Sequence, residues 1–565
     1  MNHAKPASFR SLYIPKLFTV LKQGYGRRDF RDDVIAGLTV AIVALPLAMA
    51  LAIASGTTPD KGLITVVIAG LLISLLGGSR VQVGGPTGAF VVVVYAIIEK
   101  HGYDGLIVAT LMAGILLVAA GLMRLGTWIK YVPQPVVTGF TSGIAVIIFT
   151  SQIKDLFGLQ MEKVPGDFLE KIPAFWAARD TMDLTSLLMA LGCLALIVAL
   201  RRYAPKLPAF LIAILAGSVA TYVFHLDLTT IGSAFGGIPR SLPAPHLPAG
   251  LSLAMVQELI PSALTIAFLA GIESLLSAVV ADGMTGYRHR SNCELVAQGI
   301  ANSASALFGG LPATGAIART ATNIRAGAKS PLAGVLHAVF VLLFMMIFAP
   351  LASYIPLAAL AAVLVIVAWN MAEAHRFIHL MRASRGETFI LLLTFLLTVL
   401  VDLTLAIEVG VVLAAILFMV RMSEIVELQT HVHIIEQDIA DSTDPAIEMR
   451  SRLPEGVEAY QIRGPLFFGM SSRLLDMLDN LAGKPQIFIL RMSLMPMIDS
   501  SGITALEEFI RRCHKDGIQV ILSGVLPEPM KLMNKMGIGP HTGIKYAANF
   551  QQALEIAQNS VEQKT

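Results

Sequence analysis

Two stretches of this chain carry residue types that can hold an anion. One runs Gly77-Gly78-Ser79-Arg80-Val81-Gln82-Val83-Gly84-Gly85-Pro86-Thr87-Gly88-Ala89-Phe90, the other Gly309-Gly310-Leu311-Pro312-Ala313-Thr314-Gly315-Ala316. In each, Gly and Pro break a long apolar run and a short helix follows. The first amides of such a helix lack an intrahelical acceptor, and its N-terminus carries partial positive charge. Two such tips brought together form an anion site that needs no full counter-charge. Close helix packing alone also uses glycines, but matched breaks in both halves of the chain favour the site. Arg319, one turn into the second short helix, either adds a full positive charge there or pairs structurally with an acid. Glu273, within Leu269-Ala270-Gly271-Ile272-Glu273-Ser274-Leu275-Leu276-Ser277, is an acid in the middle of an apolar helix. It either carries a proton across the membrane or is the fixed partner of Arg319. Far downstream, Ile498-Asp499-Ser500-Ser501-Gly502 opens a helix. Asp499 and the serines cap it, and a phosphate on Ser501 would sit at its N-terminus.

These residues lie in an unusually apolar chain. Of 565 residues, 55% are hydrophobic and only 14% are charged, against about 25% charged in soluble domains. A membrane-crossing helix needs ~20 mostly apolar residues. Clear stretches lie near 34–54, 61–77, 104–123, 135–153, 182–200, 208–225, 259–281, 331–352, 386–402 and 405–421. Shorter ones near 84–98, 292–308, 314–324 and 356–370 bring the number to fourteen. Residues 1–32 are polar and basic and do not read as a cleavable leader. Their Lys5, Arg10, Lys16, Lys22, Arg27, Arg28 and Arg31 place them in the cytoplasm. Fourteen crossings return the C-terminus to the same side. Loops expected inside carry Arg124, Arg201, Arg202, Arg288, Arg290, Arg325 and Arg382, and those expected outside carry fewer bases.

The chain also repeats weakly. Leu38-Thr39-Val40-Ala41 returns as Leu264-Thr265-Ile266-Ala267, the Thr87 break as the Thr314 break, and Tyr131-Val132-Pro133 as Tyr354-Ile355-Pro356. The order and near-constant spacing divide residues 33–428 into repeats of about 33–228 and 255–428. Seven spans are an odd number, so the second repeat enters from the opposite side, the plan of many secondary transporters.

After residue 428 the composition becomes ordinary and charged. Val457–Gly469, Gln486–Met492 and Gln519–Ser523 read as strands, and Ser471–Leu481, Gly502–Lys515, Glu528–Met536 and Phe550–Ala557 as helices. Residues 440–560 are therefore expected to form a small cytoplasmic α/β domain. The net charge of +3 does not suggest a nucleic-acid binder. Cys193, Cys293 and Cys513 are too few for a disulfide framework or a zinc site. With no nucleotide-binding loop, metal spacing or triad-like set, neither an enzyme nor a cofactor is expected.

With those residues on the page, the chain resembles the sulfate permease (SulP) family of anion transporters. The resemblance rests on Asp33-Val34-Ile35-Ala36-Gly37-Leu38-Thr39-Val40, both helix breaks, Gly139-Phe140-Thr141-Ser142-Gly143 and Ile272-Glu273-Ser274-Leu275-Leu276. The tail resembles a STAS domain, through Gly464-Pro465-Leu466-Phe467-Phe468 and the Asp-Ser-Ser-Gly box. It implies a 7+7 inverted repeat with core and gate domains, elevator-like exchange and a homodimer in a bacterial inner membrane. It implies an anion held between Thr87, Gly88, Ala89, Phe90 and Ala316, Ile317, Ala318, Arg319. Proton coupling falls to Glu273, sodium being disfavoured by Glu273 and Ser277 where sodium-coupled members have Asp and Thr. Ser501 matches a phosphorylated serine, and the STAS domain implies a cytoplasmic protein partner. Leu45-Pro46-Leu47-Ala48-Met49 and Ala316-Ile317-Ala318-Arg319 look closest to the C4-dicarboxylate branch, which suggests succinate or fumarate. Sulfate and bicarbonate remain open, as does a nucleobase carrier of the same fold.

Overall fold

The computed structural model describes residues 12–127, 133–161, 164–205, 207–248, 252–401, 403–425, 427–430, 453–454, 456–466, 485–539 and 543–562. The chain divides into two compact units, Met1–Ala414 and Ala415–Thr565.

The first unit is helical. Its long elements are α1 (Arg27–Ala54), α2 (Pro59–Leu76), α3 (Ala89–Leu122), α4 (Gln134–Ser151), α5 (Leu184–Tyr203), α6 (Ala209–Val223), α7 (Leu253–Thr285) and α8 (Ser291–Leu307). They continue as α9 (Ile317–Arg325), α10 (Leu332–Ala352), α11 (Leu357–Met371), α12 (Arg385–Leu400) and α13 (Leu403–Ile425), which runs on into the second unit. Every apolar stretch anticipated above holds a helix, those near 84–98 and 314–324 only from Ala89 and Ile317 onward. Within α3, Gly102 adopts φ 71° and ψ −177°. A residue with a Cβ is strained there, and this one glycine splits α3 into two crossings. Fourteen crossings result. Among the described residues, eight helices are each long and apolar enough to cross a membrane.

The helices form two groups. In one, α3 packs against α7 and α8, α10 against α1 and α2, and α9 against α7 and α1. In the other, α4 packs against α12 and α11, and α5 against α11 and α6. The close approach of α3 and α8 rests on Gly114 and Gly299, where an added Cβ would lie 2.7 and 2.5 Å from the facing carbonyl.

Each break contains a two-residue strand, β1 (Gly84–Gly85) and β2 (Thr314–Gly315). They pair antiparallel, Gly84 with Gly315 and Gly85 with Thr314. Equivalent segments of two inverted repeats must run antiparallel where they meet, so this small ladder is the inverted repeat at its centre. Of the repeat signals, Tyr131-Val132 lies outside the described residues.

The second unit holds a five-stranded sheet in the order β3 (Glu427–Thr430), β4 (Val457–Arg463), β5 (Ile487–Leu494), β6 (Gln519–Ser523), β7 (Lys545–Ala547). Only β3 is antiparallel to its neighbour. Among the described residues the unit also holds helices α14 (Ser500–Lys515), α15 (Pro527–Lys535) and α16 (Phe550–Glu562). β5 is buried on both faces, as a parallel sheet demands. Phe488 and Leu490 meet Leu506 and Phe509 of α14, while Ile487 and Ile489 meet Ala553 and Ala557 of α16. The strand expected over Val457–Gly469 ends at Arg463, because Gly464 turns at φ 95° and Pro465 follows. The helix expected over Ser471–Leu481 lies outside the described residues.

Candidate functional site

The site grows out of α7. Thr87 Oγ1 donates 2.8 Å to Glu273 Oε2. On the next residue of the same helix, Ser274 Oγ lies 2.7 Å from Thr314 Oγ1 and accepts from the Gly315 amide at 3.2 Å. Thr87 and Thr314 are the equivalent threonines of the two breaks, so adjacent residues of one helix hold both. The breaks also bind each other. The Ala316 amide donates to the Val83 carbonyl at 2.9 Å, and the Val83 amide to Thr320 Oγ1 at 3.1 Å.

Arg319 completes the crossing. It is 2% exposed, and its Nη2 donates to the Pro86 carbonyl at 2.8 Å. A Cβ on Gly85 would lie 2.3 Å from Arg319 Nη1. Arg319 Nε and Nη1 have no hydrogen-bond partner among the described residues. The fixed Arg319–Glu273 pair does not form: Glu273 takes Thr87, and Arg319 takes the residue before it. The guanidinium thus lies against Gly85 and the Pro86 carbonyl, the residues just before the first helix tip.

The eight tip residues divide by exposure. Ile317 and Ala318 are exposed, Thr87 is half-buried, and Gly88, Ala89, Phe90, Ala316 and Arg319 are buried. Gly88 abuts the other helix group, since a Cβ there would lie 2.4 Å from Met371 Sδ and 3.4 Å from Ile148 Cδ1. Helix α9 offers its first turn from an extended N-cap, Ala316. Pro46 and Met49 line a cavity of about 640 Å³ with Leu211, Tyr222 and Phe344, and none of the tip residues lines it.

Several polar residues build the frame, and of these the sequence singled out only Asp33, as the head of a motif. Asn302 brackets the second break, donating to the Ala313 carbonyl and accepting from the Ala313 amide, both at 2.8 Å. Thr65 Oγ1 accepts from the Leu311 amide at 2.7 Å. Glu294, fully buried in α8, accepts from the Gly78 amide (2.8 Å), the Ser79 amide (3.1 Å) and Gln298 Nε2 (2.9 Å). Asp33 accepts from the Lys329 and Ser330 amides, the Ser330 hydroxyl and the Tyr25 hydroxyl. Thr65, Glu294 and Asn302 acquire these partners only where the breaks and helices meet, so no local pattern marks them.

In the second unit Asp499 Oδ1 accepts from the Gly502 amide at 2.7 Å and caps α14. Ser501 follows in the first turn, half-buried. No group of His, Cys, Asp and Glu suited to a metal occurs among the described residues.

Comparison with known proteins decides the family. The Sulfate permease family matches over residues 30–394 and the STAS domain over 449–553. The chain belongs to the sulfate permease family. It is 44% identical over 520 residues to "Putative sulfate transporter YvdB" of Bacillus subtilis, covering 91% of this chain and 95% of that protein. It is 30% identical over 536 residues to "Bicarbonate transporter BicA" of a Picosynechococcus species, covering 90% and 91%. The solved transmembrane domain of a cyanobacterial BicA superposes with a TM-score of 0.62 at 31% identity, over 68% of this chain and 98% of that one. Murine Slc26a9 superposes with a TM-score of 0.83 at 17% identity over 99% and 96%, which establishes the shared fold. The chain is thus a multi-pass membrane anion transporter rather than an enzyme. The relatives' names concern sulfate and bicarbonate, not the C4-dicarboxylates that the wording of Leu45–Met49 and Ala316–Arg319 suggested.

Proposed function

We propose that this transporter carries a divalent oxyanion, sulfate or a C4-dicarboxylate such as succinate or fumarate, together with a proton. The anion sits between the tips Thr87–Phe90 and Ala316–Arg319, at the positive ends of the two helices. The observation that carries this reading is the hydrogen bond between Thr87 and Glu273. It ties a group that can hold a proton to the tip that receives the anion. An arriving anion repels the Glu273 carboxylate and is accepted beside the neutral acid, so anion and proton load together. Elevator-like movement of the group containing α1, α3, α7 and α9 past the group containing α4 and α12 then exposes the loaded site on the other side. Bicarbonate is the second reading, supported by 30% identity to BicA. A nucleobase carrier is disfavoured by Arg319, whose charge a neutral base does not need.

The protein is taken to be a homodimer in a bacterial inner membrane, in contact with its lipid, with both termini in the cytoplasm. The tail, about 440–560, is the regulatory part, and Ser501 is the residue on which a phosphate would act and a cytoplasmic protein would read it. Ser501→Asp is expected to change the transport rate more than the affinity, and equal rates would leave Ser501 a capping residue. The deciding experiment is uptake of labelled sulfate into proteoliposomes with bicarbonate, succinate and fumarate as competitors. Inhibition by one or more of them, stimulated by an inward proton gradient, is expected. Uptake of none of these anions by folded protein overturns the proposal.

A further inference from the structure

We infer that His337 is a positioning residue of the anion site, joined to the Arg319 guanidinium through buried water. This rests on the proposed anion site and extends it. His337 lies in α10 with no exposed surface, and neither ring nitrogen has a hydrogen-bond partner among the described residues. An apolar side chain would fill such a place at less cost, since a buried polar group without a hydrogen bond is strongly disfavoured.

The surroundings supply what the ring lacks. One turn before it, Gly334 rests on the break itself: a Cβ there would lie 3.4 Å from the Gln82 carbonyl and 2.2 Å from Ser74 Oγ. Arg319 Nη1 lies against Gly85, three residues further along the same segment. Asn323, one turn beyond Arg319 in α9, donates its Nδ2 to the Val81 carbonyl at 2.8 Å. The turn of α10 that carries Gly334 and His337, and Arg319 of α9, therefore flank one short stretch, Val81–Gly85.

The hydrogen-bonding groups left over are complementary. Arg319 Nε and Nη1 can only donate. Gln82 Oε1 and Asn323 Oδ1, also buried without partners among the described residues, can only accept. A neutral imidazole donates from one nitrogen and accepts at the other. No two of these groups touch directly, so ordered water is the element that links them; a buried water makes about three hydrogen bonds to such groups. The consequence reaches the substrate. A guanidinium held from behind keeps Nη2 on the Pro86 carbonyl, and Pro86 precedes Thr87. Without His337 the first tip loses its fixed position.

The test uses full-length protein in proteoliposomes, with labelled sulfate, bicarbonate and succinate offered separately. KM and Vmax are measured for whichever the wild type takes up. His337→Leu is expected to raise KM about tenfold with little change in Vmax. His337→Asn, which keeps a donor and an acceptor, is expected to recover most of that loss. Where His337→Leu does not give folded protein, His337→Met serves as the apolar replacement. A wild-type KM for the apolar variant overturns the inference, as does equal impairment of the apolar and Asn variants. Arg319→Ala separates the levels. A raised KM for Arg319→Ala beside an unchanged one for His337→Leu removes only the role of His337. An unchanged KM for both, or no uptake of the three anions by wild type, removes the anion site as well.

Discussion

At the scale of single residues, the chemistry of the site divides between two charges that do not meet. Glu273 faces Thr87, and Arg319 faces the Pro86 carbonyl. A carboxylate already locked in an ion pair with arginine would release a proton poorly to a passing substrate, whereas one held by a single hydroxyl is free to exchange it. Glu273→Gln keeps the size and the hydrogen bond to Thr87 but cannot ionise. Uptake in the variant is therefore expected to lose its stimulation by an inward proton gradient, while exchange between equal pools on both sides persists. Gradient-driven accumulation at the wild-type level in Glu273→Gln would assign the proton elsewhere. Glu273 was legible in the sequence because it stands alone in an apolar run. Glu294 is fully buried where Glu273 is only half-buried, yet the sequence did not mark it. Its purpose, to accept two amides of a loop more than two hundred residues away, exists only once α8 lies beside the first break.

At the scale of elements, hydrophobicity specified the fourteen crossings and the breaks specified the tips. Both signals are local, so both could be read from the chain. The pairing of β1 with β2 is not local, and two-residue strands carry no periodicity to detect. β3 and β7 went unread for the same reason, having four and three residues. The small ladder makes a strict demand at Gly315, where an added Cβ would lie 1.5 Å from Gln82 Nε2. Gln82 holds the Ser274 carbonyl at 3.2 Å and cannot swing away without freeing it. Gly315→Ala is expected to destabilise the protein by about 1–3 kcal/mol, as overpacked cores are, and to abolish uptake. Gly283, an exposed position in α7 with nothing within 4 Å of an added Cβ, is the control. Gly283→Ala should leave thermal unfolding and uptake unchanged. Equal effects at the two glycines would mean that the crossing tolerates a side chain.

At the scale of the whole molecule, the two units answer to different physics. The tail has its own buried core on both faces of its sheet, whose edge strand β3 begins at Glu427, so a fragment starting at β3, rather than at about 440, is expected to fold alone in water. Cys513 reports on this, because burial pushes its thiol up to about 12. In the unfolded chain a thiol titrates near ~8.5. The folded state thus holds its proton over a range where the unfolded state loses it. The stability Cys513 contributes is complete below about pH 8.5 and falls as the pH rises towards 12, by at most ~1.4 kcal/mol per unit. The isolated tail should unfold more easily at pH 10 than at pH 8, and Cys513→Ala should weaken that dependence; identical pH profiles would place the thiol in water. In the membrane unit the decisive quantity is charge moved per cycle. One Glu273 carries one proton. A monovalent anion moved with one proton is electroneutral, whereas a dianion with one proton carries a net negative charge inward. Against a negative-inside potential that charge costs about 2.3 kcal/mol per 100 mV, close to a fiftyfold bias in the accumulation ratio. Sulfate or succinate uptake into proteoliposomes should therefore slow when valinomycin and a potassium gradient make the interior negative, while uptake of a monovalent anion should not respond. If dianion uptake is also indifferent to the imposed potential, two protons cross with it, and a second carrier besides Glu273 must be present in the site.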